Sequence, residues 1–411
     1  MSVLYCIYQI PPDCNSVFRS STIPKEEDHA DAFSLDPGFD IRSVASLARS
    51  LPAHSWEYGT ASEALLELYN PSFSVFGDDP FPNIHQEVST NNVPSLAYAQ
   101  SKIAFGSGAN ELSDGDGATG DPASLGVSAV LLGRTDETYQ DAAKRTMDYL
   151  INTAPRFSNG AISQRADVAE LWADFMYMAP PFLAYYAVST SNSSLLLETV
   201  RQCGLYRELP KIYGLWRHIV GPQLPDPGLW STGNAWSAAG MTRVLATVMK
   251  APRANSNSLR SKSISSLTTY IKEILDGAID SPLDNNLLRN YLNDTSGDGH
   301  GFGEISGSTM LANVVYRMVV LRPDVFLPGY SAGQQAGSTT SKYLTWAESI
   351  RRTIGSNNHV SNNGTVAPAV DPLDWGSTTP YTAGSPEGQN FVVLMYASWR
   401  DCVLAGICAA D

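Results

Sequence analysis

Apolar residues recur at steps of three and four along most of the chain, the spacing of one face of an α-helix. Leu267, Ile271, Ile274 and Leu275 follow this spacing, and Gly277 comes directly after them as a stop signal. Other stretches with helical character lie near residues 41–51, 60–69, 92–104, 121–132, 137–152, 168–188, 241–248, 311–318, 341–353 and 388–406. The pattern predicts about a dozen helices and no βαβ alternation.

Loops rich in Gly, Ser, Asn and Pro separate these helices, for example residues 281–304 and 355–387. They are longer than the roughly 2–8 residues that connect the helices of an up-down bundle. Long loops on a rigid helical scaffold are where substrate sites are usually built. The sequence therefore predicts one all-α domain over residues 41–411, preceded by an irregular lead-in over residues 1–40.

The composition excludes several classes of function. Of 411 residues, 43% are hydrophobic and 17% are charged, which is enough apolar material for a packed core, and the net charge is −14. An acidic chain is a poor partner for nucleic acid or an anionic membrane surface, because phosphate binding needs clustered Lys and Arg. No stretch approaches the ~20 apolar residues of a membrane span. We expect a small-molecule or oligosaccharide substrate, and the oligomeric state stays open.

The five cysteines form no CxxC pair and no cluster with histidine, so a zinc site is not expected. None of the functional hypotheses below implies a cofactor. Glycosylation sequons occur at Asn192, Asn293 and Asn363. The N-terminus has a short apolar run without a basic start or a clear cleavage site. The sequence leaves two compartments open, a secreted protein whose leader is missing here and a cytoplasmic one.

The segment Leu171–Pro181 is the most informative candidate for chemistry. On a helix, Glu170, Asp174 and Tyr177 would share one face, because they lie four and three residues apart. Asp174 has aromatic and Met neighbours, including Trp172, and such a setting would raise its pKa and suit a general acid. The alternative is that Asp174 serves as a structural cap or ion-pair partner.

A second candidate combines two nearby segments. The first contains Trp216 and His218, and the second runs from Trp230 to Trp236 with Asn234 between the tryptophans. Tryptophans flanking a Gly-Asn pair predict a flat apolar wall beside an amide, which suits sugar rings. The alternative is a set of core tryptophans with Asn234 as an N-cap and His218 as a structural histidine.

Two acidic residues stand where helices are predicted to begin. Asp121 precedes Pro122, and Glu387 follows Pro386 in a stretch that leads into an apolar helix. Capping is the default explanation of Asp121, and it competes with a binding role for Glu387.

Four stretches together resemble the six-hairpin (α/α)6-barrel glycosidases of glycoside hydrolase families 105 and 88, the unsaturated rhamnogalacturonyl and glucuronyl hydrolases. They are WADFMYMAPPFLAYYAV, GLWRH, WSTGNAWSAAGM and SPEGQNFVVLMYASWRD. The resemblance runs from about residue 90 to the C-terminus and is closest to fungal members. It implies a barrel of inner and outer helices with the substrate cleft at one end of the inner ring.

The resemblance also implies roles for individual residues. The acid/base of the family corresponds to Asp174, and a second aspartate of the family corresponds to Asp121. The histidine that follows Gly-Leu-aromatic in the family corresponds to His218. The aromatic wall of the family corresponds to Trp230, Asn234 and Trp236. The full set of candidate substrate-binding residues is Trp172, Tyr177, Trp216, Trp230, Thr232, Asn234, Trp236 and Arg165. The implied reaction is hydration of a Δ4,5-unsaturated uronide: the acid protonates the enol-ether double bond, water adds, and the hemiketal opens. No glycosyl-enzyme intermediate is needed, so one carboxyl suffices.

The chain departs from the family pattern at two places. Thr232 stands where many members have an Arg that would pair with the uronate carboxylate, and Gln164 stands near where many have a His. Arg165 and Arg217 are the candidates to replace the missing cation. These departures keep two further hypotheses open. One is an enzyme that dehydrates, isomerises or cyclises a hydrophobic specialised metabolite in the same cleft, and the other is a non-catalytic carbohydrate-binding protein.

Overall fold

The fold was analysed in a computed structural model that describes residues 32–78, 80–81, 88–252, 257–296, 299–356 and 358–410. Of the predicted irregular lead-in over residues 1–40, residues 1–31 lie outside the described residues. The proposed domain boundary at residue 41 therefore stays a prediction.

The described part of the chain is built mainly of α-helices. In chain order they are α1 Ile41–Ser50, α2 Ser55–Tyr69, α3 Pro94–Lys102, α4 Gly126–Leu132, α5 Glu137–Asn152, α6 Phe175–Met178, α7 Pro180–Ser189, α8 Ser193–Arg207, α9 Ser231–Lys250, α10 Asn257–Ile279, α11 Ile305–Leu321, α12 Pro323–Phe326, α13 Lys342–Ser356 and α14 Pro386–Leu404. A 3₁₀ turn over Asp121–Leu125 leads directly into α4.

The helices form two concentric rings. The inner ring passes through α2, α4 with its 3₁₀ turn, α6 and α7, α9, α11 and α14, and α14 closes it by packing on α2. The outer helices that pack on these inner members are, in the same order, α3, α5, α8, α10, α13 and α1. The last and first helices thus complete the sixth pair. This is the predicted (α/α)6 barrel.

Patterns of buried positions separate the two rings. Every residue of α9 from Ser231 to Val248 is buried, as a helix enclosed on all sides requires. The outer helix α5 buries a single stripe, formed by Tyr139, Ala142, Ala143, Thr146 and Leu150. Its other faces are solvated, which explains why its amphipathic period was readable in the sequence.

A glycine lets two inner helices approach closely. A Cβ atom at Gly240 of α9 would overlap the carbonyl oxygen of Met176 in α6. By contrast, a Cβ at Gly204 in the outer helix α8 would lie 3.5 Å from the Tyr270 hydroxyl, an ordinary contact distance. Gly240 is therefore needed for packing, whereas Gly204 is not.

Three short antiparallel ribbons lie in the loops: β1 Leu171–Trp172 with β4 Ile219–Val220, β2 Lys211–Ile212 with β3 Leu215–Trp216, and β5 Leu283–Asp284 with β6 Leu287–Leu288. The first ribbon corrects the prediction of a helix over residues 168–188. The chain there is extended up to Trp172, and helix begins only at Phe175. Helix α8 was not predicted.

Side chains fill the axis of the inner ring in two layers. The aromatic layer consists of Tyr177, Trp236 and Phe391, with ring centroids 4.6 Å apart for Tyr177–Trp236 and 4.5 Å for Trp236–Phe391. Beyond it, toward the C-terminal ends of the inner helices, lies the ion-pair layer. This layer joins four inner helices through Glu63, Glu67, Arg243, Arg317 and Asp401.

Several further features bear on the predictions. A disulfide joins Cys402 and Cys408 directly after α14, and Cys203 is a buried free thiol. The pairing had been left open by the sequence, and Cys6 and Cys14 lie outside the described residues. Within the described ranges, no helix combines the length and apolarity needed to cross a bilayer.

Candidate active site

The inner helices begin at one end of the barrel, and a chain of polar contacts lies there. His218 Nε2 is 3.3 Å from Asp174 Oδ2, and His218 Nδ1 is 2.9 Å from Asp226 Oδ2. The Tyr291 hydroxyl donates to the same Asp226 oxygen at 2.6 Å. The imidazole is buried and bridges two carboxylates, while the Asp174 side chain keeps 15% exposure. Since its Oδ2 is enclosed against the imidazole, the exposure belongs to the rest of the carboxyl.

Pairing of β1 with β4 brings these residues together. Trp172 pairs with Ile219, and the Ala173 amide donates to the His218 carbonyl at 2.9 Å. This bond places Asp174, the residue just before α6, beside His218, the residue just before β4. The site is therefore positioned by a strand pair, and the predicted shared helix face of Glu170, Asp174 and Tyr177 is wrong.

Charge around His218 favours its protonated form. Burial alone would lower the pKa of the imidazole, but the carboxylates of Asp174 and Asp226 outweigh burial and raise it above its usual value. Burial likewise opposes ionisation of Asp226. Hydrogen bonds from His218, Tyr291 and the Gly228 amide prevail and lower the pKa of Asp226 to about 2. The protonated form of the ring is therefore favoured by the two carboxyl groups beside it.

Asp121 is a second carboxyl of this end. Gln164 Nε2 donates to Asp121 Oδ1 at 2.7 Å, so the side chain binds its neighbour and does not cap the 3₁₀ turn. Burial raises the pKa of Asp121 to about 7, helped by the negative charge of Asp174, although Gln164 and Arg165 act in the opposite sense. Asp121 therefore holds a proton during part of the time at neutral pH.

Aromatic rings surround His218. Trp172 lies 5.9 Å, Trp230 4.4 Å and Trp375 5.2 Å from the imidazole, measured between ring centroids, and Trp375 meets Trp172 edge-on at 5.5 Å. Trp172 and Trp375 are partly exposed, whereas Trp230 is buried. Partly exposed aromatic faces at the mouth of a ring suit the apolar face of a sugar.

The tryptophans that were predicted to form an open wall for a sugar ring lie in the core of the barrel. Trp216, Trp230 and Trp236 are all buried, and the Asn234 amide is engaged by the backbone of Trp216 and Trp230. Asn234 is not an N-cap either, because Trp230 holds that position. The interpretation as core tryptophans describes the packing correctly, and the open aromatic surface comes from Trp172 and Trp375.

The remaining predicted residues fall into two groups. Tyr177 and Thr232 are buried, Tyr177 in the aromatic layer and Thr232 one helical turn nearer the mouth, with no hydrogen-bond partner for its hydroxyl among the described residues. Arg165 lies at the rim, where Nη1 donates to the Asp116 carbonyl at 3.0 Å and Nε is 3.6 Å from Asp167 Oδ1. About a quarter of its side chain is exposed, and its charge acts on Asp121.

Sequence reasoning missed part of this site. Trp375 stands in the long loop 355–387, where a lone tryptophan among Gly, Ser and Pro is the signal that could have identified it. Asn290 connects it to the site, since its amide donates to the Trp375 carbonyl and its oxygen accepts from Trp230 Nε1. Tyr291 carried no recognisable signal, because its role depends on contact with Asp226, 65 positions away.

No three His, Cys, Asp or Glu side chains in the described ranges are grouped so that they could hold a metal ion.

Comparison with known proteins gives one family match. The model of the family described as Glycosyl Hydrolase Family 88 matches residues 128–298. This segment contains Arg165, Asp174 and His218, while Asp121 and Glu387 lie outside it. The match confirms the predicted resemblance and, with the fold, indicates an enzyme of the glycoside hydrolase type. No curated protein matches the sequence.

Solved structures share the architecture at low sequence identity. A family 105 glycoside hydrolase from C. acetobutylicum has 14% sequence identity and a TM-score of 0.60. The alignment covers 87% of this chain and 98% of that protein. A family 88 glycosyl hydrolase from Bacteroides vulgatus has 13% identity and a TM-score of 0.61, over 88% and 97%. An unsaturated glucuronyl hydrolase from a Bacillus species, responsible for glycosaminoglycan degradation, has 12% identity and a TM-score of 0.56, over 86% and 94%. They confirm the (α/α)6 fold, and the expected likeness to fungal members stays a prediction.

Proposed function

We propose that this protein hydrolyses Δ4,5-unsaturated uronides by acid-initiated hydration of the double bond. The observation that carries the proposal is the pair of carboxyls, Asp174 and Asp121, at the end of the barrel where the inner helices begin. The charge of Asp174 opposes ionisation of Asp121, so the pair retains a proton near neutral pH.

In the proposed reaction, Asp174 delivers the proton that it shares with Asp121 to C4 of the enol ether, and positive charge develops at C5 and the ring oxygen. Water adds to C5 and returns a proton to this pair. The hemiketal that forms then opens and releases the next sugar, so the pair ends in its starting state. His218 holds Asp174 in place, at 3.3 Å, and is itself fixed by Asp226.

Arg165 supplies the cation that the uronide carboxylate needs. It lies at the rim beside Gln164, which hydrogen-bonds Asp121, and about a quarter of its side chain is exposed. Trp172 and Trp375 offer the aromatic edge on which the sugar ring would rest. The proposed substrate therefore lies with its carboxylate at Arg165 and its double bond at the carboxyl pair.

The direct test uses oligogalacturonides and glucuronides produced by a polysaccharide lyase, whose conjugated double bond absorbs in the ultraviolet. The wild-type protein should bleach this absorbance. Asp174→Asn should lower kcat by about 10²- to 10⁴-fold, because an amide cannot transfer the proton. Asp148→Asn, an exposed aspartate paired with Lys144 on outer helix α5, is the matched control and should leave the rate unchanged.

Unchanged absorbance across a broad panel of such uronides would contradict the proposal and favour the enzyme of specialised metabolism. Wild-type binding without turnover, equally strong in Asp174→Asn, would identify a carbohydrate-binding protein instead.

A second test addresses the carboxylate. Arg165→Met should raise KM for a uronide by about tenfold or more, since a charge-assisted contact is worth roughly 1.5–3 kcal/mol. Arg217→Met is the matched control, because Arg217 is a partly buried arginine in the segment between β3 and β4. If KM rises in Arg217→Met and not in Arg165→Met, the assignment of Arg165 is wrong.

A further inference from the structure

Glu387 is a buried carboxyl that the proposed reaction does not use. It is the second residue of α14, and 3% of its surface is exposed. Trp56 Nε1 donates to its Oε1 at 3.1 Å. Its Oε2 has no hydrogen-bond partner among the described residues. Ser385 caps α14 through the Gly388 amide, so the capping interpretation of Glu387 does not apply.

The surroundings of Glu387 oppose its ionisation. Burial is the largest effect, and the negative charges of Asp174, Glu57 and Glu304 add to it. The bond from Trp56 acts in the opposite sense but does not compensate, and the pKa of Glu387 is raised well above its usual value. The neutral form of the side chain is therefore favoured. Because Oε1 accepts from Trp56, Oε2 is the oxygen available to carry the hydroxyl hydrogen.

The packing places this group over the aromatic layer, on the side of the site. Trp236 of α9 and Phe391 of α14 meet across the ring axis at 4.5 Å. Thr232 lies four residues before Trp236, and Glu387 lies four residues before Phe391, so each is one turn nearer the mouth. The Thr232 hydroxyl is also fully buried and without a partner among the described residues.

Two buried hydrogen-bonding groups without partners on facing helices are unusual, because buried polar groups normally pair. The charged groups that act most strongly on Glu387 are carboxylates. The buried surface formed by Thr232 and Glu387, here called the floor, therefore does not suit an anionic group of the substrate. A hydroxyl oxygen, which accepts a bond without carrying charge, does suit it. The two groups thus define an uncharged subsite above the aromatic layer.

We propose that Glu387 is a specificity-determining residue, which donates a hydrogen bond as a neutral acid to a hydroxyl oxygen of the substrate ring, beside Thr232. The identity of the substrate rests on the proposed function. In this arrangement the hydroxyl edge of the uronide faces the floor, and its carboxylate faces Arg165.

The kinetic test compares two substitutions of Glu387. Glu387→Gln keeps a donor and an acceptor of the same size, so KM and kcat should stay within about threefold of wild type. Glu387→Leu removes the donor and should raise KM by about three- to tenfold with little change in kcat, the value of one neutral hydrogen bond. A loss of turnover in Glu387→Gln would make Glu387 an acid catalyst and overturn the proposal. An unchanged KM in a folded Glu387→Leu would overturn it as well.

An infrared measurement needs neither substrate nor turnover. The carbonyl stretch of a protonated carboxyl should be present at neutral pH in the wild type and reduced in Glu387→Gln. Glu273→Gln is the control and should leave this band unchanged, because Arg207 and Lys211 keep the pKa of Glu273 below its usual value. A band unaffected by Glu387→Gln would overturn the proposal. If Glu387→Gln reduces the band but the wild-type protein bleaches no uronide, the proposed function is refuted. The protonated state of Glu387 would still be supported.

Discussion

Asp226 sets the state of the histidine beside the candidate acid. It accepts hydrogen bonds from His218 Nδ1 at 2.9 Å, from the Tyr291 hydroxyl at 2.6 Å and from the Gly228 amide at 2.9 Å. The contact with Nδ1 leaves Nε2 facing the Asp174 carboxylate. A lone pair on Nε2 would repel that carboxylate, so the contact favours a second proton on the imidazole.

Asp226 should stabilise the fold in a pH-dependent way. Its pKa is about 2 in the folded protein and about 4 in an unfolded chain. Its contribution, on the order of 2 kcal/mol, is therefore full above pH about 4 and is lost as the pH falls toward 2. His218 is protonated in both states over this range and adds no slope.

The measurement is denaturant unfolding of wild type and Asp226→Asn at several pH values. The free-energy difference should shrink on acidification. Tyr291→Phe removes one of the three bonds and should lose only part of the difference. A gap between wild type and Asp226→Asn that does not change between pH 7 and pH 2 would contradict the assignment.

At this scale the sequence predicted which residue types meet, and failed where a contact depends on distant segments. Asp174 was a candidate from its local setting, whereas Asp121 and His218 became catalytic candidates through the family resemblance, and all three lie at one end of the barrel. Trp375 entered the site through Asn290, which is 85 positions away, so no local pattern could reveal it.

At the scale of elements, the apolar period predicted most helices, because helical spacing is a local property. It failed at residues 168–188 since β1 is only two residues long and its partner, β4, lies about fifty residues further on. Helix α8 is capped by the side chain of Asn192, and few of its positions are buried. Its apolar residues show only a weak helical period, so the sequence did not predict this helix.

Two glycines provide a test of helix packing. Gly240→Ala should destabilise the protein by about 1–3 kcal/mol, because its Cβ meets the Met176 carbonyl in a packed inner ring. Gly204→Ala lies on the outer helix α8 with an ordinary contact at 3.5 Å. It should stabilise by about 0.4–1 kcal/mol through lower entropy of the unfolded chain. Thermal unfolding of both variants decides the matter, and equal effects would show that the inner helices can separate without cost.

At the scale of the whole molecule, the ion-pair layer links segments that are far apart in sequence. Arg317 of α11 contacts Glu67 of α2 and Asp401 of α14, both at 2.6 Å, and Arg243 of α9 contacts Glu63 of α2 at 2.6 Å. These partners are buried or nearly so, and their positions across the ring require all four helices. Such pairs fix the arrangement more than they add to stability.

Arg317→Met should therefore cost about 3–5 kcal/mol, because it leaves Glu67 buried without its partner. Glu67→Gln combined with Arg317→Met should cost less than the sum of the single changes. Lys144→Met, which breaks an exposed pair on α5, is the control and should cost less than about 0.5 kcal/mol. Additive effects of the two buried changes, measured by denaturant unfolding, would show that the layer is not coupled.

The two layers that fill the ring axis also restrict the route by which a molecule can reach the site. A molecule that reaches Asp174 meets Tyr177, Trp236 and Phe391 behind it, and the charged layer lies further on. Among the described residues these layers close the ring axis, so a molecule that reaches Asp174 enters and leaves at the same end of the barrel. In the proposed reaction, the released sugar therefore departs by the route along which the substrate arrived.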